Sequence, residues 1–161
     1  MAQEFDPAKF LPLFKSEAEE CLEKLNKGLL SLENNPDDPE QIKALFREAH
    51  TLKGSAKMMG IDEINQISHR IEDIFVNLQE KKMKFSSNLA NRIFKALDII
   101  RVIIDKIIRN EKIDIDLSEI YQELQGVTTK EKVSDMEAEA ELLSPLLPKK
   151  EPYRFEEYIR V

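Results

Sequence analysis

The stretch REAHTLKGSAKMMG, from Arg47 to Gly60, decides how this chain folds and raises the question of its function. Its composition is that of a helix, yet it holds His50, one of the two histidines in the chain. One turn later it holds Gly54, a residue that weakens a helix by about 1 kcal/mol relative to alanine. Gly60 then stands where a C′ glycine ends a helix. A titratable ring beside a helix-weakening residue indicates a surface that serves more than folding.

Two long helices are predicted up to the end of this stretch. Asp6-Pro7 begins the first, in which Pro12 either lies in the first turns or kinks the helix. Residues 34–37 form a loop, and Asp38-Pro39 begins the second helix, with Gln41 placed for a capping box. The apolar residues of both helices recur at helical spacing. They are Phe10, Phe14, Ala18, Cys21, Leu22, Leu25, Leu29 and Leu32 in the first helix, and Ile42, Leu45, Phe46, Ala49, Leu52, Ala56 and Met59 in the second.

Three further helices are predicted after the quoted stretch. Asp62 is expected to cap the third, and Ser86 or Ser87 the fourth. A shorter fifth is expected from about residue 116 to residue 125, before Gly126. Four long amphipathic helices with short connections predict an all-α fold, an antiparallel up-down four-helix bundle with the fifth, shorter C-terminal helix packed outside it.

Composition excludes several classes of partner. The net charge of -7 argues against nucleic acid, and the basic cluster at residues 81–84 falls at a predicted helix C-terminus, where cations suit the helix dipole. The most apolar stretch, residues 97–108, is interrupted by charges, so no membrane insertion is expected. A single cysteine, Cys21, and no visible signal peptide favour a cytoplasmic protein.

The turn at Gly60 brings polar side chains to one height in the predicted bundle. At a rise of about 1.5 Å per residue, His50 lies roughly 15 Å down its helix from that turn. His69 and Glu72 lie at about the same height on the antiparallel neighbour. At about 100° per residue, His50 projects roughly 120° from the middle of the apolar stripe, so it lies at an exposed edge. Gly54 also faces outward, which opens the surface beside the ring to another protein.

Charged residues complete this predicted arrangement. Lys53 lies one turn from His50, and Lys57 returns to the His50 face two turns on, so a divalent anion on the ring would meet both. Each charge pair is worth about 1 kcal/mol in water and about 4 at an effective dielectric of 20. A Glu72 carboxylate bonded to Nδ1 would fix the tautomer and leave the Nε2 lone pair outward. The pattern indicates a phosphoryl-accepting histidine rather than a complete catalyst.

Two segments of the chain resemble one protein family. LFREAHTLKGSA, residues 45–56, and HRIED, residues 69–73, are similar to the histidine-containing phosphotransfer (HPt) family, and within it to the N-terminal domain of chemotaxis-type histidine kinases. The likeness extends over roughly residues 8–110 and implies the HPt fold. It implies that the site consists of His50 as the acceptor at Nε2, Glu72 bonded to Nδ1, and Lys53 and His69 as further polar residues. Gly54, Ser55 and Lys57 are expected to form the docking and phosphate environment around it. Many relatives carry glycine where Lys57 stands.

The predicted function is that of a phosphocarrier. The four glycines, at positions 28, 54, 60 and 126, cannot form G-x-G-x-x-G or a Walker loop. No cofactor is therefore expected in this chain, and ATP and Mg²⁺ are assigned to an ATP-binding histidine kinase catalytic domain elsewhere. That domain would phosphorylate His50, and an aspartate of a response-regulator receiver domain would take the phosphoryl group.

Two alternatives stay open at this point. A metal-binding four-helix bundle would use His and Glu ligands, but the chain offers His69-x-x-Glu72 without a second matched pair. A helical docking module with an inert His50 would bind partners without transfer. The substitution His50→Gln separates that module from a phosphocarrier, because only the phosphocarrier would lose transfer.

The sequence predicts one domain and a linker. Residues 1–126 are expected to form the bundle, which should be monomeric. Residues 127–161 are rich in Glu, Lys, Ser and Pro, which is typical of a flexible linker. The final residues, 158–161, resemble the entry into the dimerisation domain that follows in chemotaxis-type kinases, so the chain is expected to be a piece of a larger kinase.

Overall fold

A computed structural model of the chain describes residues 6–125. Its helices are α1 (Pro7–Asn34), α2 (Pro39–Met59), α3 (Asp62–Gln79) and α4 (Ser87–Ile108). Residues 118–125 form a fifth helix, α5. Each of the four long helices packs on its neighbour in sequence, and α1 also packs on α4, which closes the bundle. The prediction of an all-α bundle with a shorter fifth helix is confirmed, whereas the linker predicted over residues 127–161 lies outside the described residues.

Side-chain caps begin the first two helices where the sequence predicts them. The Asp6 carboxylate accepts from the backbone N–H of Ala8 at 3.1 Å, and the Asp38 carboxylate accepts from the backbone of Gln41 at 3.3 Å. The backbone N–H of Asp38 donates to the Asn35 carbonyl at 3.2 Å, so this N–H is hydrogen-bonded within the loop. Pro12 lies inside α1, which continues through it. These caps fix the α1–α2 connection to residues 35–38.

One predicted helix cap is wrong, and α5 begins two residues after its expected start at about residue 116. Asp62 is the first residue of α3 rather than its cap; Ile61 holds the cap position and makes no side-chain cap bond. The turn after α2 is so short that α3 begins at once, and the Asp62 carboxylate lies in the first turn, where the helix dipole favours it. Residue 116 lies before α5, because the Asp116 carboxylate accepts from the Ser118 backbone at 3.0 Å and from the Ser118 hydroxyl at 2.6 Å. Ser86 caps α4, as one of the two predicted serines.

The α2–α3 turn sets the register on which the site depends. Gly60 adopts φ 72°, a left-handed conformation that glycine reaches without strain. The N–H of Ile61 donates to the Ala56 carbonyl at 2.9 Å, which gives α2 a Schellman end. Two residues therefore suffice to reverse the chain, and α2 and α3 lie antiparallel in contact along their length.

The core is mostly aliphatic, with Phe14 and Phe75 also buried in it, and α5 packs against it. The guanidinium of Arg70 on α3 lies 4.4 Å from the ring centroid of Tyr121 on α5. Arg92 of α4 donates to the Glu123 carbonyl at 3.0 Å. Ile120 and Leu124 of α5 are buried. Some members of the predicted stripes are not fully buried: Phe10, Phe46, Met59, Ile107 and Ile108. No helix within residues 6–125 is long and apolar enough to cross a membrane.

Two helical glycines provide a matched test of this packing. A Cβ built on Gly28 would lie 2.5 Å from Leu45 Cδ2 and 2.6 Å from Gln41 Nε2, whereas one built on Gly54 would meet nothing within 4 Å. We expect Gly28→Ala to lower the free energy of unfolding by about 1–2 kcal/mol, since the buried Leu45 side chain and the Gln41 side chain must shift to make room. We expect Gly54→Ala to raise it by roughly 1 kcal/mol, since alanine is the better helix former. Urea denaturation measures both, and changes of the same sign would contradict this packing.

Candidate functional site

His50 and Glu72 meet across the α2–α3 interface. His50 Nδ1 lies 3.1 Å from Glu72 Oε2. The side chain of His50 is 61% exposed, whereas that of Glu72 is only 5% exposed. The height estimated from the Gly60 turn therefore agrees with the contact. One edge of an otherwise exposed imidazole is anchored to a carboxylate inside the bundle.

Lys53 forms an ion pair with the same carboxylate. Its Nζ lies 2.9 Å from Oε2 and 3.1 Å from Oε1 of Glu72, and its side chain is 7% exposed. Lys53 follows His50 by three residues, so both project from α2 toward Glu72 on α3. A charged lysine at this depth needs a counter-charge, and Glu72 supplies it.

The ion pair determines which nitrogen of His50 carries hydrogen. A carboxylate paired with an ammonium accepts hydrogen bonds and donates none. The contact with Glu72 therefore requires a hydrogen on Nδ1, and Nε2 of the neutral ring keeps its lone pair. Because Nδ1 faces the buried carboxylate, the Nε2 edge of the exposed ring faces outward. A neutral, oriented nucleophile is what this arrangement provides.

The two faces of the His50 ring differ. The ring of Phe46, one turn earlier in α2, stacks on it with centroids 6.0 Å apart and an angle of 18° between the planes. Gly54, one turn later, is exposed and has open space where a Cβ would lie. Side chains on a helix lean toward its N-terminus, so a side chain at position 54 would lean over His50. Phe46 belongs to the predicted buried stripe of α2 but is only half-buried; its spacing of four residues from His50 is the signal in the sequence for this contact.

The remaining predicted site residues lie around this centre. His69 is half-buried one turn before Glu72 in α3, with Nε2 3.8 Å from Asp73 Oδ1. Ser55 is half-buried and Lys57 exposed on α2. Lys57 also lines a depression of about 180 Å³ at the α2–α3 turn. The expectation that an anion on His50 meets two free cations needs revision, because Glu72 already holds the ammonium of Lys53.

The other nucleophilic side chain does not contribute to the site. Cys21 lies in α1 and is buried. Burial, together with the neighbouring Glu48 carboxylate, raises the pKa of its thiol to about 12. The thiol therefore stays protonated at neutral pH and is a poor nucleophile. Residues 6–125 also contain no group of three His, Cys, Asp or Glu side chains arranged to hold a metal ion.

Comparisons with known proteins agree on one family. A family model described as Hpt domain matches residues 9–144 of the chain. The chemotaxis protein CheA of Halobacterium salinarum is 31% identical over 118 residues, which cover 73% of this chain and 18% of that protein. The chain thus spans about a fifth of the length of the curated relatives it matches.

Solved structures extend the likeness to the fold. The solution structure of the histidine phosphotransfer domain of CheA is 33% identical, with a TM-score of 0.68, and the match covers 74% of this chain and 91% of that domain. The phosphorylated P1 domain of CheA3, crystallised in complex with CheY6 from R. sphaeroides, is 18% identical with a TM-score of 0.68, over 76% of this chain and 97% of that one. At that identity the second likeness shows the shared fold.

The buried ion pair can be tested through stability. Glu72→Leu would leave the Lys53 ammonium buried without a counter-charge, and we expect the free energy of unfolding to fall by about 3 kcal/mol. Adding Lys53→Met should restore most of the loss, because replacing both partners by apolar residues is close to neutral. Urea denaturation of the single and double variants measures this coupling. Losses that simply add in the double variant would show that the two groups do not interact.

Proposed function

Because this chain belongs to the Hpt domain family, we propose that His50 accepts a phosphoryl group on Nε2 and passes it to an aspartate of a receiver domain. The single observation that supports this most directly is the contact of 3.1 Å between His50 Nδ1 and the buried Glu72 carboxylate. It provides a neutral ring whose Nε2 lone pair is directed outward. The likeness to CheA supplies the reaction class.

In the proposed first step, the Nε2 lone pair attacks the γ-phosphorus of ATP. The nitrogen–phosphorus bond forms, the bond to the bridging oxygen breaks, and its electrons leave with ADP. The imidazole gains positive charge as its lone pair is shared. The Glu72 carboxylate faces Nδ1 and stabilises that charge, while Lys53 keeps the carboxylate in place. The proton on Nδ1 does not need to leave.

The second step reverses this movement of electrons. A carboxylate oxygen of the receiver's aspartate attacks the phosphorus, the nitrogen–phosphorus bond breaks, and Nε2 regains its lone pair. Both steps need in-line approach of a partner to the exposed edge of His50. We assign ATP and Mg²⁺ to a separate histidine kinase catalytic domain, with no cofactor bound by this chain.

The surface around Gly54 is the proposed docking site for both partners. The open space above Gly54 lets a partner reach the ring, and we assign the half-buried Ser55 and the exposed Lys57, which follow it on α2, to the border of that approach. The exposed ammonium of Lys57 would face incoming phosphate oxygens. The CheA3 domain, which shares this fold, was crystallised in complex with CheY6. That complex supports a receiver domain as the partner. We further propose a cytoplasmic location, where ATP and receivers are available.

Replacement of His50 tests the acceptor role. Incubation with ATP and a chemotaxis-type kinase core should add one phosphoryl mass to the wild type, and mild acid should remove it. His50→Gln should gain no mass, whereas the matched variant His69→Gln should still be phosphorylated. Intact-mass spectrometry measures the adduct. A phosphoryl group on His50→Gln, or none on the wild type with its cognate kinase domain in active form, would contradict the proposal.

A bulky residue at position 54 tests the docking surface. A glutamine there would lean over His50, so we expect kcat/KM for phosphorylation of Gly54→Gln by the kinase domain to fall about tenfold or more. Phosphoramidate, a small donor that needs no docking surface, should phosphorylate the variant at nearly the wild-type rate. Lys43→Gln, also on an exposed position of α2, is the matched control. Unchanged transfer from the kinase domain to Gly54→Gln would place docking elsewhere.

A further inference from the structure

One face of the His50 ring is in contact with another aromatic ring. Phe46 and His50 lie four residues apart on α2, with centroids separated by 6.0 Å and planes inclined by 18°. This is an offset, nearly parallel arrangement of the kind that aromatic pairs favour. Phe46 is itself half-buried and packs against the hydrophobic core with the rest of its surface. Phe46 is therefore held by the core on one side and contacts the exposed His50 ring on the other.

Glu72 alone does not fix the orientation of His50. Its Oε2 holds one ring atom, Nδ1, at 3.1 Å. The torsions about Cα–Cβ and Cβ–Cγ orient the ring, and one hydrogen bond leaves one combination of them free; the His50 side chain is 61% exposed, so solvent does not restrain that pivot. The Nε2 lone pair lies in the plane of the ring. Any pivot therefore changes the direction in which the nucleophile points.

We propose that Phe46 is a positioning residue for phosphoryl transfer. Phe46 fixes the plane of the His50 ring, whereas Glu72 fixes which edge of the ring faces the bundle. This inference rests on the proposed function of His50. The stacked face prevents the pivot and holds Nε2 in the direction that in-line attack requires. Because helical side chains lean toward the N-terminus, His50 leans onto Phe46 and away from the open side at Gly54. The ring is thus supported on one face and accessible from the other.

Phe46→Leu and Phe46→Tyr separate positioning from core filling. Leucine keeps an apolar side chain in the core but offers no flat face, whereas tyrosine keeps the ring. Phe94→Leu is the matched control, since Phe94 is a half-buried phenylalanine that packs on the same core from α4. All variants are made in the full chain, and urea denaturation records their stability.

Two readouts test the role in these variants. In proton NMR, the ring current of Phe46 shifts the Hδ2 and Hε1 resonances of His50; Phe46→Leu should move them toward their positions in an unstructured peptide, and Phe46→Tyr should retain the wild-type shifts. In phosphorylation by the kinase domain, Phe46→Leu should lower kcat about tenfold with KM unchanged, and Phe46→Tyr should recover the rate.

The outcomes distinguish this inference from the proposed function. The positioning role would be overturned, with His50 still the acceptor, if the His50 proton resonances of Phe46→Leu kept their wild-type chemical shifts. A loss of kcat in Phe46→Leu no larger than in Phe94→Leu would have the same meaning. A loss of kcat in Phe46→Tyr as large as in Phe46→Leu would also overturn it. A wild type that accepts no phosphoryl group from an active kinase domain would overturn the proposed function, and the positioning role with it.

Discussion

The buried carboxylate of Glu72 is the group on which the rest of the site depends. It binds Lys53 at 2.9 Å and His50 at 3.1 Å, so one side chain neutralises a buried cation and orients an exposed ring. A carboxylate at this depth is tolerated because the ammonium accompanies it. The short turn at Gly60 brings α2 and α3 into the register that makes both contacts. The same ion pair therefore contributes to the stability of the bundle and to the orientation of His50.

The two edges of the His50 ring lie in different surroundings, one against the interior of the bundle and one toward solvent. Packing and the ion pair hold the Nδ1 edge of His50 still, while the Nε2 edge and the Gly54 side stay open to solvent. The proposed role, a carrier that serves two partners in turn, requires an accessible nucleophile that needs little reorganisation at each encounter. In that role the fold would supply the orientation, and each partner would supply its own reacting group.

The sequence predicted the fold because strong local signals agreed with one another. The caps at Asp6 and Asp38, the glycine at position 60 and the apolar periodicity all indicated antiparallel helices. The same turn placed His50 and Glu72 at one height by simple counting. The Asp62 cap was wrong because the turn closes so tightly that Ile61 takes the cap position and Asp62 is already helical, and local sequence does not reveal how tightly a turn closes. The burial of Lys53 and the stacking of Phe46 depend on side-chain packing between and along helices, which periodicity does not resolve.

The tautomer of His50 in the free domain tests the central claim most directly. A long-range proton–nitrogen correlation spectrum at about pH 8 distinguishes a ring nitrogen that carries hydrogen from one that does not. Because the Glu72 carboxylate pairs with Lys53 and faces Nδ1, we expect a protonated Nδ1 and an unprotonated Nε2. A spectrum in which Nε2 carries the hydrogen would contradict it, because the outward edge of the ring would then have no lone pair for phosphorus.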